Sequence, residues 1–225
     1  MERRLFPLSI LCAVALGIAS PANAQDVSEV SEPQRLVESD AEFRQCTLAL
    51  KKLGARFAVS DPVLDDDDAQ CGILRPVIVS QAAHGVQLNP PGPMRCATAL
   101  ALAEWVDTFV VPASRNLPER GLLTQINQSS PYVCRRRNNL PTGKLSEHAF
   151  GNALDISSFE FAEGRPIPVE PREREGTPAE AFQRAVRASA CLNFTTVLGP
   201  GTDSSHDDHL HLDIKARRGG FRLCQ

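Results

Sequence analysis

Two short stretches carry most of the residues able to do chemistry. SEHAFGNALDI (146–156) and HDDHLHLDI (206–214) together hold four of the chain's five histidines. In the first, six residues separate His148 from Asp155. A histidine nitrogen, a carboxylate and a second histidine form the three-ligand set of a catalytic zinc, which leaves a fourth position for water. Mixed nitrogen and oxygen donors favour zinc, here one ion, and His211 is the obvious third ligand. Gly151 lets the backbone turn or approach closely, and Ala153 keeps bulk away from the metal. An H-x-H pair alone reads better as polar surface than as a metal site. The two stretches together point to a metal.

The second stretch raises a question of facing. Read as a regular strand, DDHLHLD puts His209, His211 and Asp213 on one face and Asp208, Leu210 and Leu212 on the other. Asp208 then points away from a metal on His211, unless it lies in the loop GPGTDSSH that feeds the strand. In a regular strand His209 becomes the proton-transfer or transition-state-stabilising group, with His206 more distant. By the same alternation Glu147 turns away from His148 and is expected to be exposed. His84, alone in QAAHGVQL, reads as structural or solvated.

S-x-H-x-x-G-x-A-x-D, filled by Ser146, His148, Gly151, Ala153 and Asp155, followed by an acidic residue and H-x-H, resembles the zinc peptidases that cut peptidoglycan stem peptides. These include D-Ala-D-Ala carboxypeptidases and dipeptidases, whose fold is shared with the Hedgehog signalling domain. More broadly, CGI, YVCR, SEHAFGNALDI and VLGPGTDSSHDDHLHLDI resemble the extensin-like C-terminal domain family of bacterial exported proteins, over most of residues 41–225. The peptidase resemblance implies that Asp208, three positions before the last histidine, is the general base, with His209 as its helper; the reverse assignment stays open. Aspartate here departs from the glutamate common in those enzymes and reaches about one methylene less far. Because zinc brings its bound water to a pKa of about 7, geometry decides more than basicity. The resemblance also implies that Arg135, in YVCRRR, grips a substrate carboxylate, which guanidinium does bidentately. Ser146 would hydrogen-bond substrate or a ligand, although a serine that opens a turn is equally ordinary.

The elements that must position these residues can be read from the remaining sequence. AEFRQCTLALKKLGARF places Phe43, Cys46, Leu50 and Leu53 at helical spacing. Asp65 to Asp68 reads as a solvated loop, without the alternating spacing of a calcium loop. CGILRPVIVS is expected to be a strand, edge or bulged because of Pro76, and NPPGP a breaker. A long apolar helix then runs from about Cys96 to Val111, with Trp105 and Phe109 on a core stripe. LLTQI, FTTVL and HLHLDI read as strands and PAEAFQRAVRASACL as a helix. This order predicts an α+β domain, with a short, mostly antiparallel sheet, flanking helices and disulfide staples around a zinc-peptidase-like core.

Arg3-Arg4, the apolar run from Leu5 to Ile18 and Ala22-Asn23-Ala24 form a secretory signal, with cleavage before Gln25. An acidic leader is expected over residues 25–40 and the domain over 41–225. Removing 24 of 225 residues leaves 201, enough for one core, and the net charge moves from −3 to −4. That balance argues against a nucleic-acid partner, and no later apolar run is expected to be long enough to span a membrane. Six cysteines remain after Cys12 is lost, without a CxxC pair, so disulfides in a periplasmic or secreted protein are expected. Pairing along the chain gives 46–71, 96–134 and 191–224. The leading expectation is an exported zinc hydrolase of peptidoglycan peptide bonds, acting on a stem peptide or crosslink. A non-catalytic cell-wall- or protein-binding module with structural zinc is the second reading, and a metal-free envelope protein the third.

Overall fold

The computed structural model describes residues 38–129 and 131–225, so the signal and the leader up to residue 37 lie outside the described residues. The first helix, α1 (Asp40–Lys52), begins one residue before the expected Ala41. Ser39 caps it, its hydroxyl accepting from the Glu42 N–H while Glu42 reaches back to the Ser39 N–H. Phe43 and Leu50 form its buried stripe.

The strands are β1 (Arg56–Val59), β2 (Val63–Leu64), β3 (Gly72–Ile73), β4 (Pro76–Ala83), β5 (Val86–Arg95), β6 (Leu123–Gln128), β7 (Ala153–Phe161), β8 (Ile167–Pro168), β9 (Thr196–Leu198), β10 (Leu210–Asp213) and β11 (Leu223–Cys224). Nine of them build one sheet in the order β1-β4-β5-β6-β7-β10-β9-β11, with β8 on β7, while β2 and β3 pair separately. Only β5–β6 and β9–β11 run parallel. The α+β reading therefore stands, although the sheet is wide rather than short.

Cys96–Trp105 (α2), a π-helical turn at Val106–Val110 and Val111–Ser114 (α3) follow one another directly. This Cys96–Ser114 segment is, by length and composition, apolar enough to cross a membrane, which corrects the expectation that none follows the signal. Many of its side chains are core. Trp105 is fully buried, with its indole N–H donating to the Val186 carbonyl at 3.1 Å. Val186 belongs to α4 (Pro178–Asn193), which buries Phe182, Val186 and Ala190.

Two proline readings change. Pro76 opens β4, a strand between β1 and β5, because a first position needs no ladder donor. NPPGP is no breaker but part of β5. Between the pairs Val79↔Gly92 and Gln81↔Gln87 the register shifts, and Pro90 and Pro91 fall in that gap, where a missing N–H loses no ladder bond. The disulfides are Cys46–Cys96, Cys71–Cys134 and Cys191–Cys224, so only the last follows the expected pairing. Sequence order failed for the others because α1 lies against α2, and the segment after β6 returns to the start of β3.

Candidate metal centre

Antiparallel pairing of β7 with β10 sets His211 directly opposite Asp155 and Asp213 opposite Ala153. Directly opposed residues on a shared face bring their side chains together. His148 arrives from the 3-10 turn Glu147–Phe150, which precedes β7. The Ser146 hydroxyl caps this turn by accepting from the His148 N–H, and Leu145, Ala149, Phe150 and Cys71 form a small apolar cluster beside it. Gly151 ends the turn at φ +65°, where a Cβ would lie 2.4 Å from Ile73 Cδ1. Gly151→Ala therefore combines left-handed strain with overpacking and is expected to cost about 2–5 kcal/mol. Thermal melts of the variant check this, and an unchanged Tm would remove the turn from the list of features that hold His148.

Three donor atoms converge. His148 Nε2 lies 3.2 Å from Asp155 Oδ1 and 3.2 Å from His211 Nδ1, and His211 Nδ1 lies 2.9 Å from Asp155 Oδ1. Each histidine is held from behind. His148 Nδ1 is 3.1 Å from the Pro131 carbonyl, and His211 Nε2 is 3.3 Å from Asp213 Oδ2. With the outer N–H groups donating and the inner nitrogens deprotonated, two imidazole lone pairs and a carboxylate would converge on one point, an arrangement that a shared cation would satisfy. The donor set thus fits zinc: two imidazoles and a carboxylate, each imidazole oriented by an outer acceptor.

The electrostatics agree with a cation-seeking site. Burial opposes ionisation of Asp155, but hydrogen bonds from His148 and His211 outweigh it and hold the carboxyl well below the usual range. Burial also opposes charge on His211, yet Asp155 and Asp213 push its pKa up to about 9. Asp213 is likewise lowered, against its burial, by His211 and by the Thr196 hydroxyl, which donates to it at 2.5 Å.

The facing question has a geometric answer. Regular strand begins only at Leu210, so Asp208 and His209 both lie in the feeding loop. Even so, the Asp208 side chain is 92% exposed, whereas His209 turns inward with Nε2 3.7 Å from Asp155 Oδ1. The two residues touch, with His209 Nδ1 2.8 Å from Asp208 Oδ1. His206 is buried beside them, its Nδ1 2.8 Å from Asp203 Oδ1 and its ring 5.3 Å from that of His209.

A cleft of about 280 Å³ opens over the triad, and Arg135, Ser146, His206 and His209 are among its lining residues. Arg135 is fixed at its backbone, where its carbonyl accepts from the Ser146 N–H at 2.9 Å. The adjacent Cys71–Cys134 disulfide anchors the same segment. Glu147 is not exposed as expected. It is buried, accepts from Asn152 Nδ2 at 3.0 Å and pairs with Lys215 at 3.2 Å, because a 3-10 turn does not alternate faces. His84 sits apart in the turn between β4 and β5, paired with Asp107 at 2.6 Å. Sequence reading missed the Pro131 carbonyl, Thr196 and Arg217. A backbone acceptor leaves no trace in residue type, but Asp213, two residues beyond His211, was visible on its face.

The family model described as "Extensin-like protein C-terminus" matches residues 44–225. Comparisons with curated proteins and with solved structures return no match.

Proposed function

The chain belongs to the extensin-like C-terminal family, and we propose that it is an exported zinc-dependent hydrolase of peptidoglycan peptide bonds, of carboxypeptidase or endopeptidase type. The observation that supports this most is the convergence of His148, Asp155 and His211 beneath a cleft, with the inward-turned His209 as a fourth group. Three disulfides and the signal-like N-terminus favour a periplasmic or secreted protein.

His148 Nε2, an Asp155 oxygen and His211 Nδ1 would hold one zinc ion. When bound, zinc supplies Lewis acidity toward a carbonyl and an acidified water. The chain's own residues manage the proton. His209 Nδ1–H donates to Asp208, which leaves Nε2 facing the cleft as an acceptor. Asp208 stays ionised because its hydrogen bond with His209 lowers its pKa. It thereby stabilises the imidazolium formed when His209 takes a proton, and His209 can return that proton to the leaving amine. Proton transfer is thus assigned to His209, with Asp208 as its orienting partner. Arg135, whose side chain has no ion-pair partner among the described residues, is free to grip a substrate carboxylate bidentately.

The test is metal analysis of protein made in an oxidising compartment, followed by incubation with muropeptides and mass spectrometry of the products. Bound zinc and a shortened stem peptide or cut crosslink are expected. Bound zinc with every bond intact would replace this reading with a non-catalytic wall-binding module.

A further inference from the structure

Four basic residues, Arg135, Arg137, Lys215 and Arg217, line the same cleft as the triad. Their situations differ. Arg137 and Lys215 both approach Glu147 Oε1, at 3.5 and 3.2 Å, so the buried carboxylate already balances part of their charge. Arg217 is held instead by neutral groups: one terminal nitrogen donates to the Thr195 carbonyl at 2.8 Å and the other to the Thr196 hydroxyl at 2.6 Å. Guanidinium has five N–H donors, so three remain for a ligand. Among the described residues no carboxylate pairs with Arg217.

The fold separates Arg217 from Arg135. β10 lies between β7 and β9, and Arg217 is tied to Thr196, the first residue of β9, and to Thr195 just before it. Arg135 belongs to the segment after β6, whose Pro131 carbonyl contacts His148 on the β7 side. In strand order, the elements carrying the donors, β7 and β10, lie between the segment of Arg135 and β9, to which Arg217 is tied, and neither arginine has a carboxylate partner among the described residues. The four cations of the lining face three carboxylates, Glu147, Asp155 and Asp213, and a bound zinc would add two more positive charges. The chain as a whole carries −3, so this cleft runs against the overall charge and favours anionic ligands.

Resting on the reading of the site as a peptide hydrolase, we propose that Arg217 is a second carboxylate-binding residue, and that the cleft selects peptides bearing an internal carboxylate in addition to their C-terminal one. Arg135 grips the terminal carboxylate and Arg217 the internal one, on the other side of the cleaved bond from Arg135. The Thr195 and Thr196 contacts pre-organise the guanidinium, so little rotamer freedom is lost when the ligand arrives.

Two synthetic stem peptides test this, both with a free C-terminus, one with its internal carboxylates free and the other with them amidated. Zinc-loaded wild type is expected to show a KM about tenfold lower for the acidic peptide, as a charge-assisted bidentate pair permits. Arg217→Gln should raise the acidic peptide's KM about tenfold and change the amidated peptide's KM far less. Equal KM values in wild type, or an Arg217→Gln effect of the same size on both peptides, would overturn the proposal. If neither peptide is cut, the hydrolase reading fails, and calorimetric binding of the same pair decides the subsite alone: tighter binding of the acidic peptide supports it and equal Kd values sink it. Should Arg217→Gln fail to fold, the wild-type comparison between the two peptides decides.

Discussion

His148→Ala and His211→Ala are each expected to purify without zinc, whereas His209→Ala keeps its zinc and loses hydrolysis. The division follows from the geometry. Removing His148 or His211 takes one of three converging donors and leaves a two-ligand remnant too weak to retain the ion through purification. His209 stands outside that set, 3.7 Å from Asp155, and its loss removes only the group that accepts and returns the proton. General acid–base catalysis contributes about 10²- to 10⁴-fold, so kcat should fall within that range. Asp208→Asn should fall less, because it keeps the His209 ring nearby and removes only the charge that stabilises its protonated form. Metal content by mass spectrometry, beside kcat on a muropeptide, separates these cases. An His209→Ala protein without zinc would make His209 a ligand, and an Asp208→Asn loss exceeding that of His209→Ala would return the base to Asp208.

The second large effect is a pH dependence whose sign reverses with the metal. In chelator-treated protein, His211 is protonated at neutral pH because Asp155 and Asp213, against the cost of burial, push its pKa from 6.5 up to about 9. A raised folded-state pKa contributes stability that is fully present below about 6.5 and is lost as pH climbs through about 9. The loss is on the order of 3 kcal/mol, an upper figure because Asp155 shares the interaction. Zinc must displace the same proton. Its affinity should therefore rise by up to about tenfold per pH unit between roughly 6.5 and 9, then level off. Thermal melts with chelator and zinc competition titrations across that window measure the two limbs. A chelated protein whose stability does not change with pH, together with a pH-independent zinc affinity, would show that His211 carries no displaced proton.

How far the site could be read in advance depends on what each residue needed. His148, Asp155 and His211 were recognisable as a cluster because their side-chain types and the small residues between them leave a pattern, and the structure brings the three together. Gly151 belongs to that pattern because any side chain there meets Ile73. Disulfide formation was legible from an even cysteine count beyond a signal-like N-terminus, but two of the three pairings were not, since they depend on which elements pack. Pro90 and Pro91 of NPPGP misled because a local breaker is harmless where the ladder register happens to shift.

By itself, then, the amino-acid sequence determined the donor types, the apolar stripe of α1, the helix α4, the strand at Leu210–Asp213 and the family to which the chain belongs. Only the tertiary structure decided which side chain faces the His148–Asp155–His211 cluster. Alternation allowed Asp208 or His209 according to where the strand starts, and the loop broke that rule by turning the histidine in and the aspartate out. The 3-10 turn likewise buried Glu147, and the order β6-β7-β10-β9 brought the segments carrying Arg135 and Arg217 to one cleft, which no local periodicity encodes. Side-chain type is a property of one residue. Facing and separation belong to the register and packing of strands far apart in the chain.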